Sequence, residues 1–130
     1  MDGVGGIIIN LRTGEVKLAL IRKAGSIRTE RESRQGYRNV ISRVLAGPAQ
    51  GCDDLTVRLL TIKPEGRVPR TEFGFQRVIT VLQGELLFMD GDGAMHQVGE
   101  GDVVIIRPWE RHHFQNDSAS LARIHIVESR

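Results

Sequence analysis

Residues 78–106 read VITVLQGELLFMDGDGAMHQVGEGDVVII. Short runs rich in Val, Ile, Leu and Phe alternate in this stretch with tight clusters of Gly, Asp and Glu. β-Branched and aromatic residues favour strands, whereas Gly and Asp between two apolar runs favour turns. Helical periodicity is almost absent. The stretch therefore predicts four short strands in succession, at Val78–Leu82, Glu85–Asp90, Ala94–Val98 and Asp102–Ile106.

The same pattern continues on both sides of this stretch. Leu55–Ile62 and Leu121–Val127 predict further strands, and Lys63–Gly66 and Asn116–Ser118 predict turns beside them. The uninterrupted apolar run within Asp102–Ile106 is typical of a buried strand. Many short strands at regular spacing within 130 residues indicate a β-sandwich or a closed barrel rather than an α/β fold.

The first half of the chain is less regular. Gly6–Leu11 and Glu15–Ile21 flank the turn residues Arg12–Gly14 and predict a β-hairpin. Gly25–Arg38 is polar and has no apolar periodicity, which predicts a loop, an arm or at most a short helical turn. Asn39–Ala46 is compatible with a strand or with a short helix.

The length and composition are those of one ordinary folded domain. Hydrophobic residues make up 40% and charged residues 26% of the chain, which disfavours disorder and collagen-like structure. A chain of 130 residues is long enough to bury one core without disulfides or metals. We expect a single domain in which residues 1–54 supply the hairpin and arm and residues 55–130 form the barrel.

Nothing in the sequence predicts export or membrane insertion. The longest apolar runs are far shorter than the roughly 18 residues needed to span a bilayer. The N-terminus shows neither a basic leader nor an apolar stretch of signal-peptide length. Cys52 is the only cysteine, so an intrachain disulfide is excluded. We expect a cytoplasmic protein without a membrane partner.

The net charge of +2 is unevenly distributed along the chain. Seven basic and two acidic residues lie between Arg22 and Arg43, so this segment carries a charge of +5. It has no interleaved aromatic residue apart from Tyr37, and no helix-turn-helix pattern or zinc-ligand spacing follows it. We interpret residues 22–43 as a solvated arm or a segment between subunits, and we predict no nucleic-acid partner.

Two segments of the chain resemble the two sequence motifs of the cupin superfamily. The second motif of that family runs Gly, five residues, Pro-x-Gly, two residues, His, three residues, Asn. Residues 101–116 read GDVVIIRPWERHHFQN, in which Gly101, His112 and Asn116 fit that spacing and Pro108 is displaced by one position. The resemblance implies an all-β fold, a small RmlC-like double-stranded β-helix or jelly-roll barrel with the N-terminal hairpin as an extension.

The first motif departs from the family pattern. In the family, a His-x-His pair and a Glu lie between two glycines, which correspond here to Gly66 and Gly84. Counting back from Gly84 places Arg77 at the position of the glutamate. The two histidine positions fall either on Thr71 and Phe73 or on Arg70 and Glu72, depending on the length of the spacer.

Three of the four metal-ligand positions that the resemblance implies thus lack a family ligand. A divalent ion needs several N or O donors, and a guanidinium group beside it would repel it. We expect no cofactor and no family-type metal site. The alternative is a divalent metal held by His112 together with ligands from unexpected positions.

The resemblance implies a cluster inside the barrel whose members are Arg77, His112, Phe73 and either Thr71 or Glu72. A buried Arg must be paired, because an isolated buried charge is costly. Its partner is either a group of this chain, such as Glu72, Glu85 or a backbone carbonyl, or the carboxylate or phosphate of a ligand. In the second case His112 would act as a hydrogen-bond donor or an acid/base, and Trp109 and Phe73 as apolar walls.

Three hypotheses about function follow. The first is a metal-independent site for a small anionic or sugar-like ligand, in a sensor or in a non-metal isomerase, epimerase or lyase. The second is a metal-dependent cupin enzyme of the dioxygenase or isomerase type. The third is a non-catalytic dimerisation module with a filled barrel. Cupins usually pair as homodimers, which makes the hairpin Gly6–Ile21 a candidate for strand exchange or sheet extension.

Overall fold

The computed structural model describes residues 7–9 and 16–129. Helical geometry in this part of the chain is limited to two 3-10 turns, Ala24–Ser26 and Pro48–Gln50. No helix of the described residues is long and apolar enough to cross a membrane. The strands are β1 (Ile7–Ile9), β2 (Val16–Leu18), β3 (Glu30–Arg31), β4 (Arg38–Ala46), β5 (Leu55–Thr71), β6 (Arg77–Gln83), β7 (Glu85–Met89), β8 (Met95–Gly99), β9 (Val103–Ile106), β10 (His112–Gln115) and β11 (Ala122–Ser129).

Strands β3 to β11 form one antiparallel sheet whose central order is β8-β7-β10-β5-β11-β6-β9. β5 is long enough to pair with different strands along its length, so it takes part in two halves of this sheet. Residues 55–62 pair with β11 on one side and β4 on the other, while residues 67–71 pair with β10. We call β10, β7, β8 and residues 67–71 the β8 half. The β9 half comprises β4, β11, β6, β9 and residues 55–62.

The predicted turn at Lys63–Gly66 is wrong, because this segment lies within β5. The chain bends there without reversing direction, at the place where β5 changes its partner. Glu65 has a positive φ of 64°, and its N–H donates to the carbonyl of Asn116, whose own N–H donates to Gly66 O. The buried Asn116 side chain also donates to Ile62 O and Ser120 O. These hydrogen bonds give partners to the backbone N–H and C=O groups at the bend, so the strand continues through it.

The first half of the chain is more tightly attached to the sheet than the sequence predicts. The segment Asn39–Ala46 belongs to β4, and the preceding arm contains the unpredicted short strand β3, which pairs with it. Arg22 Nη1 donates to Val44 O and Leu45 O at 2.7 Å, and Arg43 Nη2 donates to Ala24 O at 2.9 Å. Some guanidinium groups of the arm therefore fasten it to β4 instead of lying free in solvent.

The predicted N-terminal hairpin is confirmed as far as it is described. β1 and β2 pair antiparallel, with Ile7 opposite Leu18 and Ile9 opposite Val16. They form a two-stranded sheet that is separate in its hydrogen bonding from the larger sheet. The predicted turn at Arg12–Gly14 lies outside the described residues.

The hydrophobic core is drawn from both halves of the large sheet. Alternate residues of β4 to β11 point inward, because successive side chains of a strand face opposite sides. The buried apolar residues are Val40, Leu60, Ile62, Val68, Ile79, Val81, Leu86, Phe88, Ile106, Phe114, Ala122, Ile124 and Ile126.

The prediction of a buried strand at Asp102–Ile106 is wrong. Ile106 is buried, but Val103 and Ile105 are 55% and 60% exposed. β9 pairs only with β6 in the central strand order, so it lies at an edge of the sheet with one face turned outward. An uninterrupted apolar run therefore supplies both the core and an exposed apolar surface.

We expect Gly84→Ala to destabilise the fold strongly. Gly84 connects β6 to β7 with a φ of +78°, and a Cβ there would lie 2.6 Å from the carbonyl oxygen of Leu121. Left-handed strain and the clash together predict a loss of about 2 to 5 kcal/mol in the free energy of unfolding, measured with urea.

The matched control is Gly93→Ala. Gly93 has a similar φ of +83°, but no heavy atom lies within 4 Å of the position of a Cβ. Left-handed strain alone should lower the free energy of unfolding of this variant by about 1 to 2 kcal/mol. Equal losses in the two variants would contradict the steric argument for Gly84.

Candidate functional site

A buried Arg–His pair connects the two halves of the sheet. Arg77 is the first residue of β6, in the β9 half, and His112 is the first residue of β10, in the β8 half. Arg77 Nη1 donates a hydrogen bond of 2.6 Å to His112 Nε2. Arg77 is 6% exposed and His112 has no exposed surface. The structure thus brings together the two residues at the centre of the predicted site.

The hydrogen bonds of His112 fix its protonation state. The carbonyl of Glu110 lies 2.9 Å from His112 Nδ1 and can only accept, so Nδ1 carries the proton. A guanidinium group can only donate, so Nε2 must accept from Arg77. Burial lowers the pKa of His112, the bond to Glu110 opposes this, and the charge of Arg77 lowers the pKa further. His112 is therefore a neutral imidazole whose Nε2 lone pair faces a cation.

The structure also decides between the two alignments of the first motif. Phe73 lies over Arg77, with its ring centroid 4.8 Å from Cζ, and its ring is 6.4 Å from that of His112. Thr71 is opposite His112 in the ladder between β5 and β10. Glu72 is exposed, and its Oε2 lies 3.6 Å from Arg111 Nε. Thr71 and Phe73 therefore occupy the two histidine positions.

Glu72, a predicted member of the buried cluster, is consequently placed on the rim. Side chains alternate along an extended chain, so the residue between Thr71 and Phe73 points away from the interior. Arg70 of the second alignment is exposed as well, and its Nη2 contacts Met89 Sδ at 3.8 Å. The spacer length could not be read from the sequence, because both alignments satisfy the family pattern.

This donor set does not fit a divalent metal ion. His112 Nε2, the one imidazole nitrogen that faces the interior cluster, accepts a hydrogen bond from Arg77. Phe73 offers no donor atom, and Arg77 adds a positive charge where a cation would need ligands. Within residues 7–9 and 16–129, no group of three or more His, Cys, Asp or Glu side chains could hold a metal.

Within the described part of the chain, Arg77 lies close to the carboxylate of Glu128, a neighbour that the sequence did not predict. Glu128 is opposite Arg77 in the ladder between β6 and β11, and both residues are 6% exposed. Its Oε2 lies 3.9 Å from Arg77 Nε, which is too far for a hydrogen bond. Its Oε1 accepts a 2.7 Å hydrogen bond from Arg58 Nε. Arg77 Nε is buried and has no hydrogen-bond partner.

The predicted pairing of Arg77 with Glu72 or Glu85 is therefore wrong. Glu85 accepts a hydrogen bond from Gln97 at 2.9 Å on the surface. The sequence does contain a pattern that indicates an inward side chain at Glu128, because every second residue of this strand, from Ala122 through Ile124 and Ile126, points inward. The sequence did not show that β11 would lie beside β6.

Charged residues of the arm extend this cluster. Arg34 Nε lies 2.8 Å from Glu32 Oε1, and the Arg34 guanidinium covers the Tyr37 ring at 4.9 Å. Burial is the main cause that lowers the pKa of Arg77; the carboxylate of Glu128 opposes this shift, and the charges of Arg58 and Arg34 lower the pKa further. The Arg34 side chain is 64% exposed, so water screens much of its effect on the buried pair.

Trp109 lies on the rim and does not form a wall of the buried cluster. Its φ is +66°, and the residue is 68% exposed. The backbone N–H of Trp109 donates to Phe73 O at 2.6 Å. The indole ring packs on Gly74 so closely that a Cβ added to Gly74 would lie 2.8 Å from Trp109 Cζ2. The left-handed backbone directs the indole outward, where it holds the loop that carries Phe73.

Solved structures of several cupins share this fold. The polyketide cyclase RemF from Streptomyces resistomycificus is 21% identical, with a TM-score of 0.78 over 86% of this chain and 80% of its own. A sugar phosphate isomerase of the cupin superfamily from Silicibacter pomeroyi is 22% identical, with a TM-score of 0.71 over 83% and 74%. A predicted oxalate decarboxylase from Thermotoga maritima is 20% identical, with a TM-score of 0.76 over 85% and 98%.

These likenesses confirm the predicted jelly-roll fold. No curated protein sequence matches the chain significantly. The family model of the cupin domain, Cupin_2, matches residues 58–128, which is more than half of the chain. The sequence motifs, the β-barrel and this match agree, and the chain belongs to the cupin family.

Proposed function

We propose that this cupin binds a small anionic or sugar-like molecule inside the barrel, at Arg77 and His112, without a metal ion. The observation that carries the proposal is the unpartnered Nε of Arg77. A buried donor without an acceptor costs free energy, and native structures rarely retain one without a purpose. A carboxylate, phosphate or hydroxyl oxygen of a ligand would supply the missing acceptor.

The charge distribution around Arg77 supports the same ligand class. The Arg77 guanidinium is 6% exposed, and Glu128 Oε2 lies 3.9 Å from its Nε, too far for a hydrogen bond. A ligand anion beside this guanidinium would lie in a poorly hydrated place, where charge interactions are stronger than in water. His112 Nε2 can accept a hydrogen bond from a ligand hydroxyl once Arg77 turns toward the ligand.

We propose a binding function and assign no reaction, because the reaction depends on the identity of the ligand. The similar structures include a cyclase, an isomerase and a predicted decarboxylase, and one fold hosts many reactions. A sensor and a metal-free isomerase, epimerase or lyase both fit a site made of a guanidinium and a neutral imidazole.

A second candidate function is a non-catalytic module with a filled barrel. The full burial of His112 favours it, because no space for water adjoins the imidazole. The Arg77 guanidinium also lies over the ring of Phe73. In this case the Arg–His pair would be a structural connection between the two halves of the sheet.

Thermal unfolding of Arg77→Met separates these two functions. In the binding function, the variant loses only about 1 to 3 kcal/mol of stability, because Glu128 keeps its hydrogen bond to Arg58. Carboxylates, phosphates and sugar acids are then tested on both proteins. A ligand at a hundredfold excess over its dissociation constant stabilises the wild type by about 2.7 kcal/mol, and this gain should vanish in the variant.

The control for that experiment is Arg123→Met, which removes an exposed guanidinium from the outer side of β11. It should keep both the stability and the response to ligand. A loss of about 3 to 5 kcal/mol in Arg77→Met, with no ligand that shifts the wild type, would favour the filled barrel.

Elemental analysis of the purified protein tests the metal-dependent alternative. We expect less than stoichiometric Zn, Fe, Mn and Ni, because Arg77 and Phe73 occupy two of the ligand positions. A full equivalent of one of these metals that is lost in His112→Gln and kept in His113→Gln would overturn the metal-free proposal. His113 is a matched control because it neighbours His112 and points to the other face of β10.

We also propose that the protein is a homodimer. Val103 and Ile105 on the edge strand β9, and Leu82 on the neighbouring strand β6, are all more than half exposed on the outer side of the sheet. Contiguous exposed apolar surface usually marks an interface. A two-fold axis lets the same patch cover itself in a second copy, so one surface suffices.

Light scattering during gel filtration tests the dimer. The wild type should have the mass of two chains, and Ile105→Lys should have the mass of one, because a buried unpaired charge is costly. Met95→Lys is the control, since Met95 is 47% exposed on β8 at the opposite edge of the sheet. A monomeric wild type would contradict this proposal.

A further inference from the structure

We infer that the ligand of this site is an aromatic monocarboxylate, whose ring enters the space that Phe73 fills and whose carboxylate accepts a hydrogen bond from the unpaired Nε of Arg77. This inference rests on the proposed binding function and specifies its ligand class. It also assigns Phe73 as the residue that closes the site.

The first argument is the position of the Phe73 ring. Arg77 Cζ lies over its face, 4.8 Å from the ring centroid, and the centroid of the His112 ring is 6.4 Å away. A ligand that reaches both Arg77 and His112 must therefore enter where Phe73 now lies. The ring of His112 is also 6.5 Å from that of Phe88 and 6.4 Å from that of Phe114. A planar ring in this space would lie against the ring of His112, as the Phe73 ring does, and its carboxylate would point to Arg77.

The second argument is the attachment of the Phe73 loop. Residues 72–76 connect β5 to β6 outside the regular strands. Phe73 stacks on Phe75 at 5.0 Å, and the loop is held at the rim by the Trp109 N–H and by the contact of the indole with Gly74. Phe73 can leave the interior when these rim contacts break, while the ladders that hold Arg77 and His112 persist.

The third argument is the charge that the site can accept. A ligand carboxylate that accepts a hydrogen bond from Arg77 Nε would lie beside the carboxylate of Glu128, whose Oε1 already accepts a hydrogen bond from Arg58. Glu128 Oε2 is only 3.9 Å from Arg77 Nε, so a second negative charge on the ligand would be repelled. This favours a monocarboxylate over a phosphate monoester.

The test uses benzoate as the probe, with four comparison compounds. Cyclohexanecarboxylate keeps the charge without the planar ring, benzamide keeps the ring without the charge, acetate lacks the ring, and phenyl phosphate adds charge. Binding is measured by thermal shift and by the fluorescence of Trp109, the single tryptophan of the protein. Because the indole packs on Gly74, movement of the Phe73 loop should change its emission.

Benzoate should bind the wild type at least about tenfold more tightly than each comparison compound, and should change the Trp109 emission. Both effects should vanish in Arg77→Met and persist in Arg123→Met. Phe73→Ala removes the group that must be displaced, so benzoate should bind this variant about tenfold more tightly than it binds the wild type.

The outcomes separate the inference from the proposed function. If acetate, phosphate or a sugar acid binds in an Arg77-dependent way and benzoate binds no more tightly, the aromatic class is wrong and the binding function stands. If benzoate binds Arg77→Met as well as the wild type, the inferred site is wrong. If no compound binds the wild type or Phe73→Ala, both proposals fail. The comparison of benzoate with cyclohexanecarboxylate on the wild type decides the ligand class even if Phe73→Ala does not fold.

Discussion

The hydrogen bond from Arg77 to His112 places a charged group where apolar packing would otherwise be continuous between the two halves of the sheet. A buried guanidinium is tolerated only when neighbouring groups compensate its charge, and here the compensation is incomplete. Glu128 lies opposite Arg77 but accepts its hydrogen bond from Arg58, and the arm adds Glu32 together with the exposed Arg34. The arm is attached to the sheet by the pairing of β3 with β4 and by the hydrogen bonds of Arg22 and Arg43.

The same pair separates this chain from the metal-binding pattern of its family. A metal site needs lone pairs that converge on one point, whereas Arg77 directs a hydrogen-bond donor at the imidazole nitrogen that would supply one. Phe73 occupies the next position with a ring that can contact a cation only through its π face. The substitutions are mutually consistent, because a guanidinium, an aromatic ring and a neutral imidazole stabilise one another in the space that a metal and its ligands would require.

The rim of the barrel depends on this arrangement in turn. Phe73 reaches Arg77 because its loop is held from outside by Trp109, which has a left-handed backbone and packs on a glycine. The exposed position of the Trp109 indole is therefore explained by its contact with this loop, without any contact with a ligand. In the middle of β5, Asn116 performs a comparable task, since its hydrogen bonds let the strand bend and take part in both halves of the sheet.

The sequence by itself determined the strand content, most strand positions and the family, because period-two apolar patterns and turn residues are local signals. It also identified Arg77, Phe73 and His112 through the spacing of two motifs. Only the tertiary structure decided that Lys63–Gly66 bends without ending β5, that Glu128 rather than Glu72 or Glu85 faces Arg77, and that Trp109 lies outside the cluster. Each of these depends on which strands become neighbours and on which side a residue points. Strand pairing joins residues that are distant in sequence, such as Arg77 and Glu128, so no local pattern encodes it.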